Sequence, residues 1–378
     1  MAKKTVAVLF GGGSVEHEVS VISGLQVLEK IDRSKFETYA IKLDQEGMFQ
    51  YYDNLLLRKN YLKIKSKIVY FGRDEKGSYF ITSGILKNKV YINAAYLAFH
   101  GGNGESGQVQ GFLETLNIPY TSSGVEGSAI AMNKALTKEV LEHHGISTVL
   151  WARVFSRDVQ IDVDVSVKAI LKNIRLPAII KPVHLGSSIG INVAKSKVEL
   201  KKYLLEASHV DSEILIEVFI VDFTEYNISV RSINGDIETS EIEKPMSKDE
   251  ILSFADKYQR GAKKTGGMAS LNRELPAKIN KTLKKKIQDT AVEVFKLIRA
   301  KGMLRIDFMQ VGDDLYVTEV NPIPGSMAFY LWEASGISFT DQITDLINQA
   351  IEDNNYRNSM NLKYDSDIIE KFVKSKDH

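Results

Sequence analysis

Two short polar pairs near the carboxyl end of the chain are the strongest indication of chemistry. Arg305 and Asp307 lie one residue apart in an apolar run, and Glu319 and Asn321 repeat this spacing in the next run. Because side chains alternate faces along a β-strand, both members of each pair point to the same face. Two adjacent strands would bring one guanidinium, two carboxylates and one amide together, and such mixed oxygen donors suit Mg²⁺. A structural salt bridge from Arg305 to Asp307 or Glu319 is the alternative, although it leaves Asn321 unexplained.

The second pair runs into a turn, Asn321-Pro-Ile-Pro-Gly325. The backbone N–H of Gly325 could donate to an oxyanion that develops during a reaction. The two prolines are equally consistent with a rigid turn that has no chemical role.

A lysine followed by a loop of small residues marks the middle of the chain. Lys181 ends an apolar run, and the loop Pro-Val-His-Leu-Gly-Ser-Ser-Ile-Gly190 follows directly. Such a loop can direct several backbone N–H groups and two hydroxyls toward phosphate oxygens. It lacks the Gly-Lys-Ser/Thr of a Walker loop, and from its residues alone it could also be a plain turn.

The glycine cluster at residues 11–13 does not continue as a dinucleotide-binding fingerprint. That fingerprint needs glycine at position 16, where Glu16 stands, with Glu18 just beyond. Carboxylates at a helix start repel a pyrophosphate and suit a cationic group such as the ammonium of an amino acid. They could instead merely complement the helix dipole.

A second glycine-rich loop, residues 100–107, follows an apolar run that predicts a buried strand. Ligands of open α/β sheets bind at this end of the strands. His100 could therefore hold a carboxylate or assist in removing a proton, or it could be a hydrogen-bonded structural residue.

Composition narrows the classes of function. The 378 residues include 49 Lys and Arg against 48 Asp and Glu, so no broad basic surface is predicted for nucleic acid or an anionic membrane. There is no cysteine, which excludes disulfides, thiolate nucleophiles and cysteine zinc sites. The apolar run Val6 to Phe10 is too short for a signal peptide, and no later run reaches the length of a membrane span. We therefore expect a cytoplasmic protein.

The alternation of apolar runs and amphipathic segments predicts an α/β fold with three units. We expect a doubly wound α/β domain at residues 1–122, a smaller α/β unit at 123–214, a sheet-centred unit at 215–352 with a polar lid at about 244–273, and a polar tail at 353–378.

Taken in order, these segments resemble the D-alanine–D-alanine ligase family of the ATP-grasp superfamily. The matching segments are GGGSVEHEVSVISG, FHGGNGESGQVQGFLE, IPYTSSGVEGSAIAMNK, LPAIIKPVHLGSSIG, ILIEVFI, FADKY, RIDFM and EVNPIPG. They span nearly the whole chain from residue 5 to about residue 350. The resemblance implies a three-domain ATP-grasp architecture, a homodimer, and an ATP-dependent ligase that makes a D-alanine dipeptide through an acyl phosphate for peptidoglycan precursors.

The resemblance also implies a nucleotide site between the second and third units. The residues that match the family's ATP-binding positions are Lys134, Lys181, Ser188, Glu217, Ile220 and Glu225. The match of Glu225 depends on a one-residue insertion in VDFTEY. Asp307, Glu319 and Asn321 match the ligands of two Mg²⁺ ions, for which Mn²⁺ could substitute.

On the substrate side, the resemblance assigns Glu18 to the ammonium of the first amino acid, with Ser187 and Tyr258 as its hydrogen-bonded partners. His100 matches a histidine near that substrate, and Arg305 and Gly325 match the groups that stabilise the tetrahedral oxyanion. Lys257 and Tyr258 match a lid pair of ligases that accept an amine rather than a hydroxy acid.

One position departs from the family pattern. Tyr330 stands where the family has a serine that binds the carboxylate of the second substrate. A tyrosine hydroxyl can also donate to a carboxylate, but its ring fills far more space. A related carboxylate–amine ligase with another acceptor is therefore the second hypothesis. A nucleotide-binding regulatory protein on the same scaffold is a third, and an NAD oxidoreductase is a distant fourth.

Overall fold

The computed structural model describes residues 2–53, 61–83, 88–246, 272–360 and 366–374. In these residues the fold is a mixed α/β architecture with sheets of seven, four, four and two strands.

The first sheet has the strand order β6-β5-β4-β3-β2-β1-β7. Its strands are β1 (Lys4–Gly11), β2 (Phe36–Leu43), β3 (Phe49–Tyr52), β4 (Ser66–Asp74), β5 (Gly77–Thr82), β6 (Val90–Tyr91) and β7 (Ala94–Leu97). Strand β1 lies parallel to both β2 and β7, and its apolar run is fully buried, as expected for a central parallel strand. The other pairings are antiparallel. The predicted doubly wound pattern therefore covers only three strands, and hairpins extend the sheet beyond them.

Three helices accompany this sheet, namely α1 (His17–Lys30), α2 (Gly102–Glu105) and α3 (Gln108–Thr115). Helix α1 begins directly after the glycine cluster and packs on β1 through an apolar face that includes Val21, Leu25 and Leu28. The loop before α1 and the loop around α2 therefore meet at the carboxyl ends of β1 and β7.

The second sheet has the order β10-β9-β11-β8. Its strands are β8 (Trp151–Phe155), β9 (Ala178–Pro182), β10 (Asn192–Ala194) and β11 (Glu213–Val218), and the helices α6 (Ser156–Ile161), α7 (Val163–Ile170) and α8 (Lys197–Ala207) cover it. Strand β11 pairs with β8 over residues 213–217 and with β9 over residues 214–218. The domain boundary that we expected after residue 214 therefore falls inside a central strand of this sheet.

The third sheet has the order β13-β12-β16-β17 and is antiparallel throughout. Its strands are β12 (Thr224–Ile233), β13 (Asp236–Thr239), β16 (Met303–Val311) and β17 (Asp314–Asn321), with a short pair β14 (Lys244–Pro245) and β15 (Arg273–Glu274) beside it. The helices α4 (Val125–Met132), α5 (Lys134–His143) and α9 (Lys281–Leu297) belong to its apolar core.

Residues 125–143, which we assigned to the middle unit, thus pack on the third sheet. Ala131 and Leu141 share a buried cluster with Ile228 and Ile306 of that sheet. The start of α5 nevertheless reaches the second sheet, because the Lys134 N–H donates to the Val183 carbonyl at 3.4 Å. Helix α5 therefore lies where the second and third sheets adjoin.

The chain ends with a 3₁₀ turn (Gly325–Ala328), α10 (Phe329–Ala334), α11 (Phe339–Ser359) and α12 (Ile368–Lys374). The apolar face of α11, including Phe339, Ile343 and Ile347, belongs to the core of the first sheet. The helix runs to Ser359, beyond the start of the tail predicted at residue 353. In the described ranges, no helix has the length and apolar character of a membrane span.

Candidate functional site

The two polar pairs meet on one face of the third sheet. Across β16 and β17, Arg305 is directly opposite Asn321 and Asp307 is directly opposite Glu319, as the alternating pattern predicts. The amide of Asn321 donates to Asp307 Oδ2 at 3.3 Å. The guanidinium, the two carboxylates and the amide therefore converge as the sequence indicates.

The salt bridge that we weighed as the alternative is also present. Arg305 donates from Nε to Asp307 Oδ1 at 2.6 Å and from Nη2 to Asp307 Oδ2 at 2.7 Å. Both side chains are buried, and although burial lowers the pKa of Arg305, the Asp307 carboxylate outweighs it and raises the pKa well above its usual value. Asp307 thus carries a fixed cation on one side, while Glu319 and Asn321 lie on its other sides.

A cavity of about 480 Å³ lies between the second and third sheets. Its size is in the range of ordinary small-molecule sites. The predicted nucleotide and metal residues that line it are Lys134, Lys181, Ser188, Glu217, Ile220, Glu225, Asp307 and Glu319. All six positions assigned to ATP by resemblance are therefore brought together in one cavity.

Three lysines contact two of the carboxylates that line this cavity, Glu217 and Glu319. Glu217 is buried and accepts from Lys181 and, at 2.6 Å, from Lys138. Burial alone would raise the pKa of Glu217, but the two lysines outweigh it and lower the pKa to about 2. Lys134 lies 3.3 Å from Glu319, so this carboxylate also has a cation beside it.

The loop after β9 has an unusual backbone at its two serines. Ser187 and Ser188 adopt left-handed conformations, with φ of 53° and 60°. Non-glycine residues rarely adopt this conformation, and where they do the strain often belongs to a ligand-binding site. The Lys134 ammonium donates to the Leu185 carbonyl at 2.6 Å, which holds the loop against α5.

A second, smaller cavity adjoins the first. It is lined by residues of the loops that follow strands of the first and second sheets and by residues of the third sheet, and Lys134, Gly186 and Glu319 line both cavities. Its further polar residues are Glu16, His100, Glu105, Ser187, Arg305, Asn321 and the backbone of Gly325. A small ligand in this cavity would lie beside the lysine and carboxylate end of the larger one.

Of the two acids at the start of α1, the one that reaches this cavity is Glu16, whereas we predicted Glu18. Glu16 is 7% exposed, lines the cavity and accepts a hydrogen bond from the Ser187 hydroxyl. Glu18 is exposed and lies in the first turn of α1. Residues two apart at a helix start project about 200° apart around the axis, so only one of the two can face the cleft. The structure therefore places Glu16 in the cavity and Glu18 outside it.

His100 is buried, and both of its ring nitrogens have partners within the protein. Nδ1 lies 3.1 Å from the Ile323 carbonyl, which can only accept, and Nε2 lies 2.7 Å from the Ser23 hydroxyl. Burial lowers the pKa of His100 to about 4, so the ring is neutral. The contacts favour the structural role for His100, at the wall of the cavity, over proton transfer.

Glu105 is a functional candidate that the sequence did not single out. It is 5% exposed and accepts from the backbone N–H of Gly101 at 2.6 Å and of Ile323 at 2.9 Å. Burial, helped by the charge of Glu16, raises its pKa to about 8. No sequence pattern pointed to Glu105 itself, because residues 100–107 show no periodicity. The glycines of this segment did mark it as a candidate site loop.

Tyr330 is buried beside the site and does not line either cavity. Its ring lies under the Arg273 guanidinium, 4.1 Å from centroid to carbon, and burial raises the pKa of its hydroxyl. Arg273 in turn lies 3.0 Å from Glu243. Lys257 and Tyr258 lie outside the described residues.

Two family models match the chain. The model for the D-ala D-ala ligase N-terminus covers residues 5–123, and the model for the D-ala D-ala ligase C-terminus covers residues 140–348.

Curated relatives carry the same description. A D-alanine–D-alanine ligase from Thermosipho melanesiensis is 33% identical over 351 residues, which is 92% of this chain and 93% of the relative. The enzyme of the same name from Thermoanaerobacter sp. is 32% identical over 364 residues, which is 94% of this chain and 98% of the relative.

Solved structures agree with these matches. A D-alanine–D-alanine ligase from Coxiella burnetii superposes with a TM-score of 0.79 at 26% identity, covering 100% of both chains. The VanG D-Ala:D-Ser ligase from Enterococcus faecalis superposes with a TM-score of 0.77 at 25% identity, covering 92% of this chain and 100% of the other.

Proposed function

The chain belongs to the D-alanine–D-alanine ligase family of ATP-dependent ligases, and from that premise we propose that it joins two D-alanine molecules into a dipeptide for peptidoglycan precursors. The observation that carries the proposal is the contact between the two cavities. A nucleotide-sized cavity and a cavity with an acid for an ammonium group share Lys134, Gly186 and Glu319.

The larger cavity suits ATP. Ile220, Glu225, Lys181 and Ser188 line it, and Lys134 lines both this cavity and the smaller one. Lysines and the backbone of a glycine-rich loop are the usual partners of phosphate oxygens. We therefore assign the terminal phosphate of ATP to the shared wall of the two cavities.

Residues at and beside this wall, which Lys134, Gly186 and Glu319 form, fit Mg²⁺. Asp307, Glu319 and Asn321 supply carboxylate and amide oxygens on neighbouring strands, which is the donor chemistry that Mg²⁺ prefers. Within the described ranges, no group of three His, Cys, Asp or Glu side chains is placed to hold a metal by itself. Mg²⁺ would therefore share its shell with phosphate oxygens and water, and when bound it would neutralise charge on the phosphates.

The smaller cavity suits the first D-alanine. We assign its ammonium to Glu16, because this carboxylate is buried in the cavity and is held by the Ser187 hydroxyl. The substrate carboxylate would then lie toward the shared wall, where one of its oxygens attacks the terminal phosphorus. The new oxygen–phosphorus bond forms as the bond to ADP breaks, which gives an acyl phosphate.

The second step forms the peptide bond. The amine of the second substrate attacks the acyl carbon, and the carbonyl oxygen becomes an oxyanion. We assign this oxyanion to the Arg305 guanidinium and the backbone N–H of Gly325, both of which line the smaller cavity. The amine nitrogen then loses a proton to water, and the carbonyl re-forms as the carbon–oxygen bond to phosphate breaks. Lys181 and Lys134 offset charge on the phosphate that leaves.

Tyr330 bears on the identity of the acceptor, which is the second amino-acid substrate. The Tyr330 ring packs under Arg273 and lines neither cavity, so the carboxylate of the acceptor would find no serine hydroxyl at this position. D-Alanine is our first proposal for the acceptor. D-Serine is the second, because one structural neighbour of comparable identity is named a D-Ala:D-Ser ligase.

A cytoplasmic location follows from the proposed use of ATP and is part of the proposal.

The homodimer remains a prediction from the resemblance. Size-exclusion chromatography with light scattering tests it, since a mass near twice 42.4 kDa is expected.

A substrate screen tests the function. Purified protein with ATP and Mg²⁺ is offered single amino acids and pairs, in both D and L forms, and ADP release and dipeptides are measured. We expect ADP release with D-alanine and D-alanyl-D-alanine as the product. Turnover with D-alanine only when D-serine is added would move the acceptor to D-serine, and turnover with no D-amino acid would overturn the proposal.

A further inference from the structure

Two elements that are assigned to the ATP phosphates come from different parts of the fold. Lys134 is the first residue of α5, which belongs to the core of the third sheet. The glycine-rich loop, residues 185–190, follows β9 of the second sheet. Their relative position determines whether one phosphate chain can contact both.

His184 lies between these two elements. Its backbone N–H donates to Asp211 Oδ2 at 2.6 Å, and its Nδ1 lies 2.8 Å from Asp211 Oδ1. Its Nε2 lies 3.2 Å from the side-chain amide nitrogen of Asn133, the residue that caps α5. The His184 imidazole therefore connects the glycine-rich loop, the Asp211 carboxylate and the start of α5.

The cap fixes the direction of each side-chain hydrogen bond that runs from Asn133 through His184 to Asp211. Asn133 Oδ1 accepts from the Leu136 N–H at 2.8 Å, so the amide nitrogen is the group that faces His184. That nitrogen can only donate, and Nε2 must therefore accept. The ring proton then sits on Nδ1 and is donated to Asp211, whose side chain is almost fully buried. The helix cap and the carboxylate together select one neutral tautomer of His184.

The same region contains direct contacts between the lysine and the loop. The Lys134 ammonium donates to the Leu185 carbonyl at 2.6 Å, one residue after His184. A shift of the loop away from α5 would break this contact and move Lys134 relative to Ser188.

We propose that Asn133, His184 and Asp211 form a positioning chain that holds Lys134 and the glycine-rich loop at the spacing that ATP phosphates require. The inference rests on the proposed nucleotide site and adds three residues to it. None of the three lines the nucleotide cavity, so they act through Lys134 and the loop.

Binding of two probes, the nucleotide analogue AMP-PNP and the nucleoside adenosine, tests this role and is measured by calorimetry at a pH at which the His184 imidazole is neutral. The non-hydrolysable analogue AMP-PNP carries the phosphates, and adenosine does not. We expect His184→Ala to weaken AMP-PNP binding roughly tenfold, the effect of one lost hydrogen-bonded link, and to leave adenosine binding unchanged. His209→Ala, a change at an exposed histidine, should alter neither affinity.

A second variant removes the link at its other end. Asn133→Ser keeps an oxygen that can cap α5 but deletes the amide that faces His184. We expect the same selective loss for AMP-PNP, and a double variant no weaker than either single one, because both changes break one link. This variant also carries the test if His184→Ala does not fold.

The outcomes separate the inference from the proposed function. If the unaltered protein binds no AMP-PNP, the nucleotide site fails and the inference fails with it. If it binds AMP-PNP and the variants bind equally well, or lose adenosine to the same extent, the positioning role is overturned while the function stands.

Discussion

At the scale of single residues, charge and contact differ sharply between neighbours of the same type. Glu16 and Glu18 are both acids at the start of α1, yet only Glu16 is buried in the cleft and held by Ser187. The residue types indicated an ammonium-binding acid at this helix start, and the resemblance assigned that role to Glu18, whereas Glu16 is the one that lines the cavity. The choice depends on where the first helical turn begins, since this sets the direction of each side chain.

The two acids provide a matched pair of variants. Glu16→Gln should raise the KM for the first D-alanine at least about tenfold, because the ammonium loses a charge-assisted hydrogen bond worth roughly 1.5–3 kcal/mol. Glu18→Gln should leave this KM within about a factor of two. Steady-state kinetics with varied D-alanine measures both, and equal effects of the two changes would contradict the assignment.

Glu217 shows how one buried carboxylate can organise a site. It accepts from Lys181 and Lys138, and the sequence predicted only one of these lysines. Glu217→Gln leaves two lysines without their buried partner and should destabilise the fold by roughly 3–5 kcal/mol. Glu213→Gln on the same strand breaks only the contact with Arg153 and should cost less than about 1 kcal/mol. Urea denaturation compares them, and similar midpoints would contradict the buried-partner role.

At the scale of secondary structure, the paired strands β16 and β17 could be predicted well because alternation is a local signal. Arg305, Asp307, Glu319 and Asn321 share one face, and two neighbouring strands bring them together whatever the rest of the fold does. The packing of α4 and α5 on the third sheet could not be predicted in this way. Amphipathic helices show which face is buried but not which sheet buries it. Among the strands of the first sheet that were missed, β3 and β6 are only four and two residues long, which leaves little periodicity to detect.

The two acids on these strands should respond differently to loss of charge. Asp307→Asn and Glu319→Gln should each lower Mg²⁺-dependent turnover by about 100-fold or more, since both carboxylates are assigned to Mg²⁺. Only Asp307→Asn should also destabilise the fold, because it leaves the buried Arg305 without its bidentate partner. Turnover and denaturation midpoints are measured on both variants. Equal midpoints would show that the Arg305 pair does not support the sheet.

At the scale of the whole molecule, the site exists because loops of different units meet. Glu105 of the first unit accepts from the N–H of Ile323, in the turn that follows β17, and His100 contacts the carbonyl of the same residue. The sequence predicted both segments as candidate site loops. It could not show that they contact each other, because no local pattern records a contact between residues more than 200 positions apart.

Glu105 should make stability depend on pH. Burial raises its pKa from 4.5 to about 8, so between these values the unfolded chain releases a proton that the folded chain keeps. Glu105 therefore stabilises the fold below pH 4.5, and this stabilisation is lost as the pH rises toward about 8. Thermal unfolding of the unaltered protein should therefore show a fall in stability over this window, and Glu105→Gln should flatten it. Parallel curves for the two proteins would contradict a protonated Glu105.

The central claim is that the two adjoining cavities pass a phosphoryl group from ATP to the carboxylate of an amino acid. D-Alanine labelled with oxygen-18 in its carboxylate tests this directly, with the released phosphate analysed by mass spectrometry. An acyl phosphate transfers one substrate oxygen to phosphate when the amine displaces it, so we predict one labelled oxygen in the phosphate for each dipeptide formed. Unlabelled phosphate alongside dipeptide would contradict the account.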